Sequence, residues 1–336
     1  MHRETHERRV SSGSRSVLRR LLRHENAVLV IILLVLVGVF GGLTKGVTLK
    51  LANVTNIMLQ SSTRGVAALG QAFVMLTAGI DLSVGGIALM TSVIGATLLT
   101  ERPVQSLLGY PIPIAAAIFL MLMSGLGVGL FNGALVSRLR IPALIVTLGV
   151  WQMTRGGAFQ LCGGYTILSL PDNLRFLGQG TVGGVPVPAI IFISLAVISY
   201  LVLNHTSFGR IVYAAGGNPV AAWLSGINIR NTLLIVYTIS GFLAGLAGAI
   251  IVSRVMSGYM NCAIGLELDS VAAVVIGGVS LSGGRGTVLG VVLGAIIIGI
   301  INNGMVVFGV DPALQDLVKG AIIVAAVGVD IQRRRS

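Results

Sequence analysis

Long apolar runs recur along the whole chain, separated by short polar or glycine-containing segments. A run of about 18 or more apolar residues is long enough to cross the hydrocarbon core of a membrane as a helix. The pattern predicts ten such spans, at residues 27–44, 54–79, 82–100, 113–137, 143–161, 186–204, 232–256, 268–282, 286–307 and 313–330. The span at 268–282 is short for a core about 30 Å thick, so we expect it to be re-entrant or buried among other helices.

The composition supports the same fold class. The chain of 336 residues is 54% apolar and 10% charged, with a mean hydropathy of +0.94. Soluble domains carry about 25% charged residues. The 46 glycines suit helices that pack closely in lipid. We therefore predict an all-α polytopic membrane helical bundle with about ten transmembrane helices.

The positive charges predict the orientation of this bundle. With the N-terminus inside, 15 of the 23 Lys and Arg residues fall on cytoplasmic segments and four on the opposite side. Cytoplasmic flanks of membrane proteins are enriched in Lys and Arg, which favours an N-in, C-in topology. Clustering at the flanks also argues against nucleic-acid binding as the reason for the net charge of +12. The predicted organisation is a basic cytoplasmic tail (1–26), one transmembrane permease domain (27–330) and a second basic cytoplasmic tail (331–336).

The longest predicted cytoplasmic connection is the loop 205–231. Pro219 can open a helical turn, and Ala221, Ala222 and Leu224 would form a compact helix that ends near Gly226. Two interpretations stay open, a helix on the membrane surface and a docking helix for a cytoplasmic partner.

Small residues inside the spans suggest close helix packing, and polar residues there suggest contacts between helices or the lining of a solute pathway. Glycines repeat every four residues on two helix faces, which favours close helix packing within the chain, with a dimer seam as the alternative. These helix-packing glycines are Gly125, Gly129, Gly133, Gly286, Gly290 and Gly294. Polar residues in the spans either hydrogen-bond another helix or line a path for a hydrophilic solute. They include Gln71, Thr77, Asn132, Thr147, Gln152, Asn302 and Asn303.

Enzyme signatures do not occur in the sequence. Three of the four His lie at or before residue 24, no G-x-S-x-G elbow is present, and no Lys follows a Gly as a phosphate loop requires. We expect a transport subunit without a metal or cofactor, with any ATP bound by another chain. Cys162 and Cys262 are predicted to be free thiols, with a disulfide between them as the alternative.

Several short stretches, in a fixed order, carry a family resemblance. They are GIDLSVG at 79–85, PALIVTLG at 142–149, TSFGR at 206–210, GN at 217–218 with SGI at 225–227, GLELD at 265–269, AAVVIGG at 272–278, GGRG at 283–286 and NNG at 302–304. In these stretches the chain resembles the permease subunit of ribose-type ABC importers, a bacterial family that takes up simple sugars and related polar solutes. The resemblance covers about residues 50–330.

The resemblance implies a multi-pass inner-membrane protein with several partners. Two permease copies, as a homodimer or heterodimer, would form the pathway, with cytoplasmic ATPase subunits and a periplasmic solute-binding protein. The part that couples to the ATPase is implied at Gly217, Asn218, Ala221, Ala222, Ser225 and Gly226. Pro219-Val220 stands where such permeases often carry an acidic residue. Related importers of branched-chain amino acids, nucleosides or autoinducers remain alternative families.

A different class of protein remains open, an ion-coupled secondary transporter. It would use Asp81, or Glu267 and Asp269, as a proton or cation site. Few acidic residues lie in the spans, which argues against this mechanism.

Asp81 lies in a stretch that is echoed later in the chain. Residues 78–86 resemble residues 277–285 at an offset of 199, which suggests an internal repeat. Asp81 can cap the following helix, contact a gate or the ATPase-facing surface, or bind solute. The predicted translocation pathway or gate comprises Asp81, Ser83, Asn132, Thr147, Asn302 and Asn303.

Overall fold

The computed structural model describes residues 25–335, and the regular structure in this range is almost all helical. Residues 1–24, most of the predicted N-terminal tail, lie outside the described range. The helices are α1 (Glu25–Leu43), α2 (Leu51–Leu76), α3 (Val84–Leu99), α4 (Ile114–Arg138), α5 (Ala143–Cys162), α6 (Arg175–Gln179), α7 (Val187–His205), α8 (Ser207–Gly217), α9 (Pro219–Leu224), α10 (Ile229–Val255), α11 (Leu266–Ile276), α12 (Val288–Val307) and α13 (Pro312–Arg335). One small hairpin, β1 (Thr181–Val182) with β2 (Val185–Pro186), precedes α7.

Each of the ten predicted spans contains one helix, and the polytopic helical class is confirmed. Five helices are long and apolar enough to cross a membrane by themselves, namely α1, α4, α7, α10 and α12. Helix α3 is apolar but only 16 residues long. At 1.5 Å per residue it covers about 24 Å, less than the hydrocarbon core.

The predicted span at 268–282 is wrong in its extent. Helix α11 has 11 residues, or about 16 Å, because Gly278 takes a left-handed conformation (φ +81°) and ends it. The chain that precedes α11 runs along α3: Gly258 lies against Ala96, and Glu267 lies against Gly85. The segment therefore enters the bundle as a loop and continues to the opposite end as a half-length helix.

Helices α4 and α10 pack against each other at the centre of the bundle. A side chain at Gly129 would overlap the backbone of Tyr237 and Gly241, and one at Gly125 would overlap Gly241 and Gly245. Small residues let the two backbones approach this closely. The second predicted stripe is also covered within the chain, because Gly290 and Gly294 lie against the backbone of α11 and the turn after it.

Contacts between the connecting segments divide them into two sets. At one end of the bundle, the turn after α2, the α8–α9 connection and the α11–α12 connection touch one another. At the other end, Thr100 donates a hydrogen bond to Leu168, and Ile167 pairs with Gly258. These sets match the two sides that the charges predict. The assignment of the first set to the cytoplasm remains a prediction from the charges.

The predicted loop 205–231 contains more regular structure than expected. Helix α8 was not predicted; the side chain of Thr206 caps it by accepting a hydrogen bond from the backbone N–H of Gly209. Helix α9 follows directly, and α10 already begins at Ile229. At the other terminus, α13 runs on to Arg335 and so includes most of the predicted tail 331–336. The division of the chain into tails and a permease domain stays a prediction.

Candidate functional site

Asp81 lies in the turn between α2 and α3, where it is fully buried. Its Oδ1 accepts hydrogen bonds from the backbone N–H of Ser83 (3.0 Å) and from the Ser83 hydroxyl (2.5 Å). Its Oδ2 accepts one from the hydroxyl of Ser240 in α10, at 2.7 Å. The carboxylate thus holds the residue that precedes α3 and joins that turn to α10.

Other helices complete the network around this turn. The side-chain amide of Asn132 in α4 donates to the hydroxyl of Ser83, at 2.7 Å. Gln71 in α2 lies beside Asp81 with its amide 2.9 Å from the Asp81 carbonyl oxygen, in the orientation that satisfies both groups. Buried hydrogen bonds of this kind make an arrangement rigid and specific, although the side-chain oxygen of Asn132 has no partner among the described residues. The Asp81 network therefore ties the start of α3 to α2, α4 and α10.

The six predicted pathway residues do not form one site. Thr147 lies at the margin of the Asp81 network, since its hydroxyl is 3.4 Å from the carbonyl oxygen of Ile80. Asn303 forms a reciprocal amide pair with Asn53, at 2.9 and 3.0 Å. Asn302 belongs to a third group, because its amide donates to Asp269 (3.2 Å).

This third group contains a partly buried ion pair that the sequence does not predict. Arg64 in the middle of α2 lies 2.6 Å from Asp269 in α11, and their side chains are 20% and 6% exposed. A charge within membrane helices normally pairs with another charge or faces a cavity. The signal in the sequence was an arginine inside a predicted span, which required an acidic partner.

The first set of connections meets in a junction of close backbone contacts. A side chain on Gly216, near the end of α8, would overlap the carbonyl oxygen of Leu76. The backbone N–H of Gly284 donates to the same carbonyl, and the Tyr213 hydroxyl donates to the carbonyl of Gly286 (2.9 Å). Burial raises the pKa of Tyr213 above its ordinary value, so its hydroxyl stays protonated as a donor. We call the contacts of residues 76–78, 216–217 and 283–284 the glycine junction.

Helix α9 and the residues on either side of it are the part predicted to couple to an ATPase. Asn218 caps it by accepting from the N–H of Ala221 (3.0 Å), and Ser225 donates to the Ala221 carbonyl (2.9 Å). Gly226 follows in a left-handed conformation, with φ +83°. Ala222 is buried. The short helix is thus fixed at both ends and packed on one side.

The opposite side of α9 is apolar and open. Val220, Trp223 and Leu224 are each 67–73% exposed. A groove of about 690 Å³ lies beside Trp223 and is also lined by Arg140 and Arg230. Exposed apolar side chains on such a helix are available for contact with the membrane surface or with another protein.

The sequence echo has a structural counterpart. Ala78 and Gly278 both take left-handed conformations (φ 62° and 81°), and their N–H groups donate to Met75 and Val275 at 2.9 Å. The next N–H groups, of Gly79 and Val279, donate to residues 74 and 274 at 3.1 Å. The two turns therefore share one geometry at a displacement of 200 residues, one more than the offset in sequence. The two cysteines, Cys162 and Cys262, are free.

Comparisons with known proteins match nearly the whole chain. Residues 53–327 match the family model described as "Branched-chain amino acid transport system / permease component". The chain is 35% identical over 327 residues to the ribose import permease protein RbsC of Escherichia coli (strain K12), covering 96% of this chain and 98% of that protein. It is 38% identical over 280 residues to the ribose import permease protein RbsC of Bacillus subtilis (strain 168), covering 83% and 84%. It is 36% identical over 312 residues to the fructose import permease protein FrcC of Rhizobium meliloti, covering 90% and 84%. No solved structure gives a significant match.

The helical bundle and these matches define a membrane permease, the transport subunit of an ABC importer and not an enzyme. The chain belongs to the family of bacterial transport-system permease components. Proteins of this class lie in the inner membrane, and their ATPase is a separate chain. They work with ATPase and solute-binding partners.

Proposed function

We propose that this permease translocates a simple sugar or a sugar-like polar solute, delivered by a periplasmic binding protein and driven by ATP. The observation that carries the proposal is the agreement of the relatives, which are named as import permeases for ribose, fructose and galactose. The runner-up is a branched-chain amino acid, the substrate in the description of the family model.

We further propose that α9 is the docking helix for the ATPase. Its exposed side chains Val220, Trp223 and Leu224 supply an apolar contact, which suits a helix that has Pro219-Val220 in place of an acidic residue. Arg140 and Arg230 beside the groove favour acidic side chains at the rim of the partner surface. The glycine junction joins this helix to the turn that carries Asp81, which supports a path from the ATPase to the membrane helices.

We assign Asp81 a structural role in this proposal. All three hydrogen bonds to its carboxylate come from the chain itself, and they fix the entry into α3. Two permease chains are proposed for each importer, because the family resemblance implies two copies that form the pathway together.

The test uses the permease, its ATPase and its binding protein in proteoliposomes. A thermal-shift screen of the binding protein first identifies which of ribose, fructose, galactose and leucine it binds. We expect a sugar to stabilise it and to enter the vesicles only when ATP is supplied. Stabilisation by leucine alone would reverse the ranking of substrates. Uptake that survives without ATP and stops when the proton gradient collapses would point to a secondary transporter.

A further inference from the structure

Three polar side chains form a ladder along one face of α2. Asn56, Gln60 and Arg64 follow one another at intervals of four residues, so they lie on the same face of the helix. Gln60 donates to Asn56 at 3.1 Å, and Arg64 donates to Gln60 at 3.3 Å. Arg64 then continues the ladder to Asp269 in α11, at 2.6 Å.

The inner end of this ladder borders a small polar cavity. The cavity has a volume of about 70 Å³, and six polar or sulfur-containing side chains line it: Gln60, Thr63, Arg64, Arg254, Cys262 and Asp269. Within residues 25–335, the Arg254 guanidinium has no hydrogen-bond or ion-pair partner. One positive charge in the cavity is therefore uncompensated by the chain that surrounds it.

The ladder does not fit against lipid. Asn56 is exposed, Gln60 and Arg64 are half-buried, and the neighbouring Leu268 and Ile264 are also exposed. A charged residue at the centre of a membrane helix costs about 2.5–3.5 kcal/mol or more when it faces hydrocarbon. By contrast, α4 exposes only apolar side chains along its middle turns, such as Phe119, Leu120 and Leu130. The two surfaces thus differ in polarity, and the polar ladder suits water or a second protein chain better than lipid.

Helix α5 also carries exposed polar side chains, at Gln152, Arg155 and Gln160. It is linked to the ladder through α3, since α11 packs against both α2 and α3, and α3 packs against α5.

The chemistry of the ladder fits hydroxyl groups. Guanidinium groups only donate hydrogen bonds, a carboxylate only accepts them, and side-chain amides do both. A hydroxyl also does both, so the hydroxyls of a neutral solute can replace the hydrogen bonds between the ladder side chains one after another. A cavity of about 70 Å³ is smaller than a monosaccharide. A monosaccharide would therefore enter this cavity only if α2 and α11 moved apart.

We propose that the ladder of Asn56, Gln60 and Arg64, with Asp269 and Arg254, is a binding track for a neutral polyhydroxylated solute in the translocation pathway. A second permease chain closes the opposite side of this track. This inference rests on the proposed sugar-import function and names the part of the chain that would carry it out.

Transport by the complete importer tests the track. Gln60→Leu removes the central amide at a half-buried position and leaves the ion pair intact. Asn204→Leu is the matched control, because Asn204 is an exposed amide that bonds the residue four positions earlier, at 3.1 Å, but lies at the end of α7. We expect Gln60→Leu to lower import of the sugar that the wild type takes up by about tenfold, with assembly and ATP hydrolysis retained. Asn204→Leu should stay within about twofold.

The outcomes separate this inference from the proposed function. Import at the wild-type rate by Gln60→Leu overturns the track and leaves the function standing. If the wild-type importer takes up none of ribose, fructose or galactose, the proposed function fails first.

The native Cys262 offers a second readout, since it lines the same cavity. A water-soluble thiol reagent should label it, and the label should depend on the nucleotide state of the importer. The control is Leu130→Cys in a Cys262→Ser background, which should react only with a lipid-soluble reagent. Labelling of Cys262 by the lipid-soluble reagent alone, or by neither reagent, would contradict the proposal.

Discussion

The backbone N–H of Gly284 donates a hydrogen bond to the carbonyl oxygen of Leu76, at a distance of 2.9 Å. This bond joins the turn after α2 to the turn between α11 and α12, the two members of the structural echo. Gly216, at the end of α8, lies against the same carbonyl oxygen. A displacement of α8 and α9 would therefore reach both turns through backbone contacts, which are stiffer than contacts between flexible side chains.

The glycine junction predicts opposite results for two adjacent substitutions. Gly216→Ala should reduce ATP-driven import at least tenfold, because the new methyl group would overlap the carbonyl oxygen of Leu76. Gly217→Ala should import nearly as well as the wild type, since the nearest atom to its methyl group is 3.8 Å away, at Gly284. The two variants are compared by their import rates in proteoliposomes. Size-exclusion chromatography measures the amount of assembled complex. Equal rates would show that the junction tolerates displacement.

Docking through α9 predicts that one aromatic side chain dominates the contact with the ATPase. Trp223→Ala should weaken binding by about 30-fold, the effect expected of a buried aromatic anchor worth about 2 kcal/mol. Phe176→Ala is the control, because Phe176 is similarly exposed (59%) but lies in α6, at the end of the bundle predicted to face outward. Titration of the purified ATPase against each permease in detergent measures both affinities. An equal loss of affinity in the two variants would argue against docking at α9.

The structural role of Asp81 predicts that its shape matters more than its charge. Asp81→Asn keeps an acceptor for Ser83 and places an amide beside the Ser240 hydroxyl, which can accept. We expect assembly and import to persist. Asp81→Leu should lower the free energy of unfolding by on the order of 3 kcal/mol, because it leaves several buried donors without a partner. Thermal unfolding in detergent and import rates are measured together. Loss of import by Asp81→Asn in a fully assembled complex would instead assign the carboxylate to a gate or to solute binding.

The contact between α4 and α10 predicts a strong dependence on the helix face. Gly129→Ala should destabilise the protein by about 1–3 kcal/mol, since its methyl group would overlap the backbone of α10. Gly127→Ala, two residues away, has no atom within 4 Å of the new methyl group and should be neutral. The midpoint of thermal unfolding distinguishes the two variants. A similar shift in both would mean that helix propensity, and not packing, decides their stability.

The positions of the long helices could be predicted from the sequence because lipid imposes a strong constraint. Backbone polar groups in hydrocarbon must form hydrogen bonds within their own segment, so each long apolar run forms a helix. The same argument cannot show where a helix ends inside the protein. Helix α11 is short because of a turn at Gly278, and α8 exists because Thr206 caps it. These are local backbone features that hydropathy does not report.

Which polar side chains pair between helices could not be predicted from the sequence either. The sequence predicts one pathway for Asn302 and Asn303, as polar residues in the same span, but successive residues on a helix point about 100° apart. One therefore reaches Asp269 and the other reaches Asn53. The pairing of Arg64 with Asp269 likewise depends on how α11 re-enters the bundle. The sequence could predict that such polar groups need partners, but not which ones they find.

The apolar side of α9 has a consequence for how the importer is made. Val220, Trp223 and Leu224 project from the bundle on a short, well-capped helix, so they stay exposed until a partner covers them. A newly inserted permease that has not yet bound its ATPase thus exposes an apolar surface, which chaperones and proteases recognise. Cells that produce the ATPase in step with the permease would keep this interval short, and permease produced alone would be degraded.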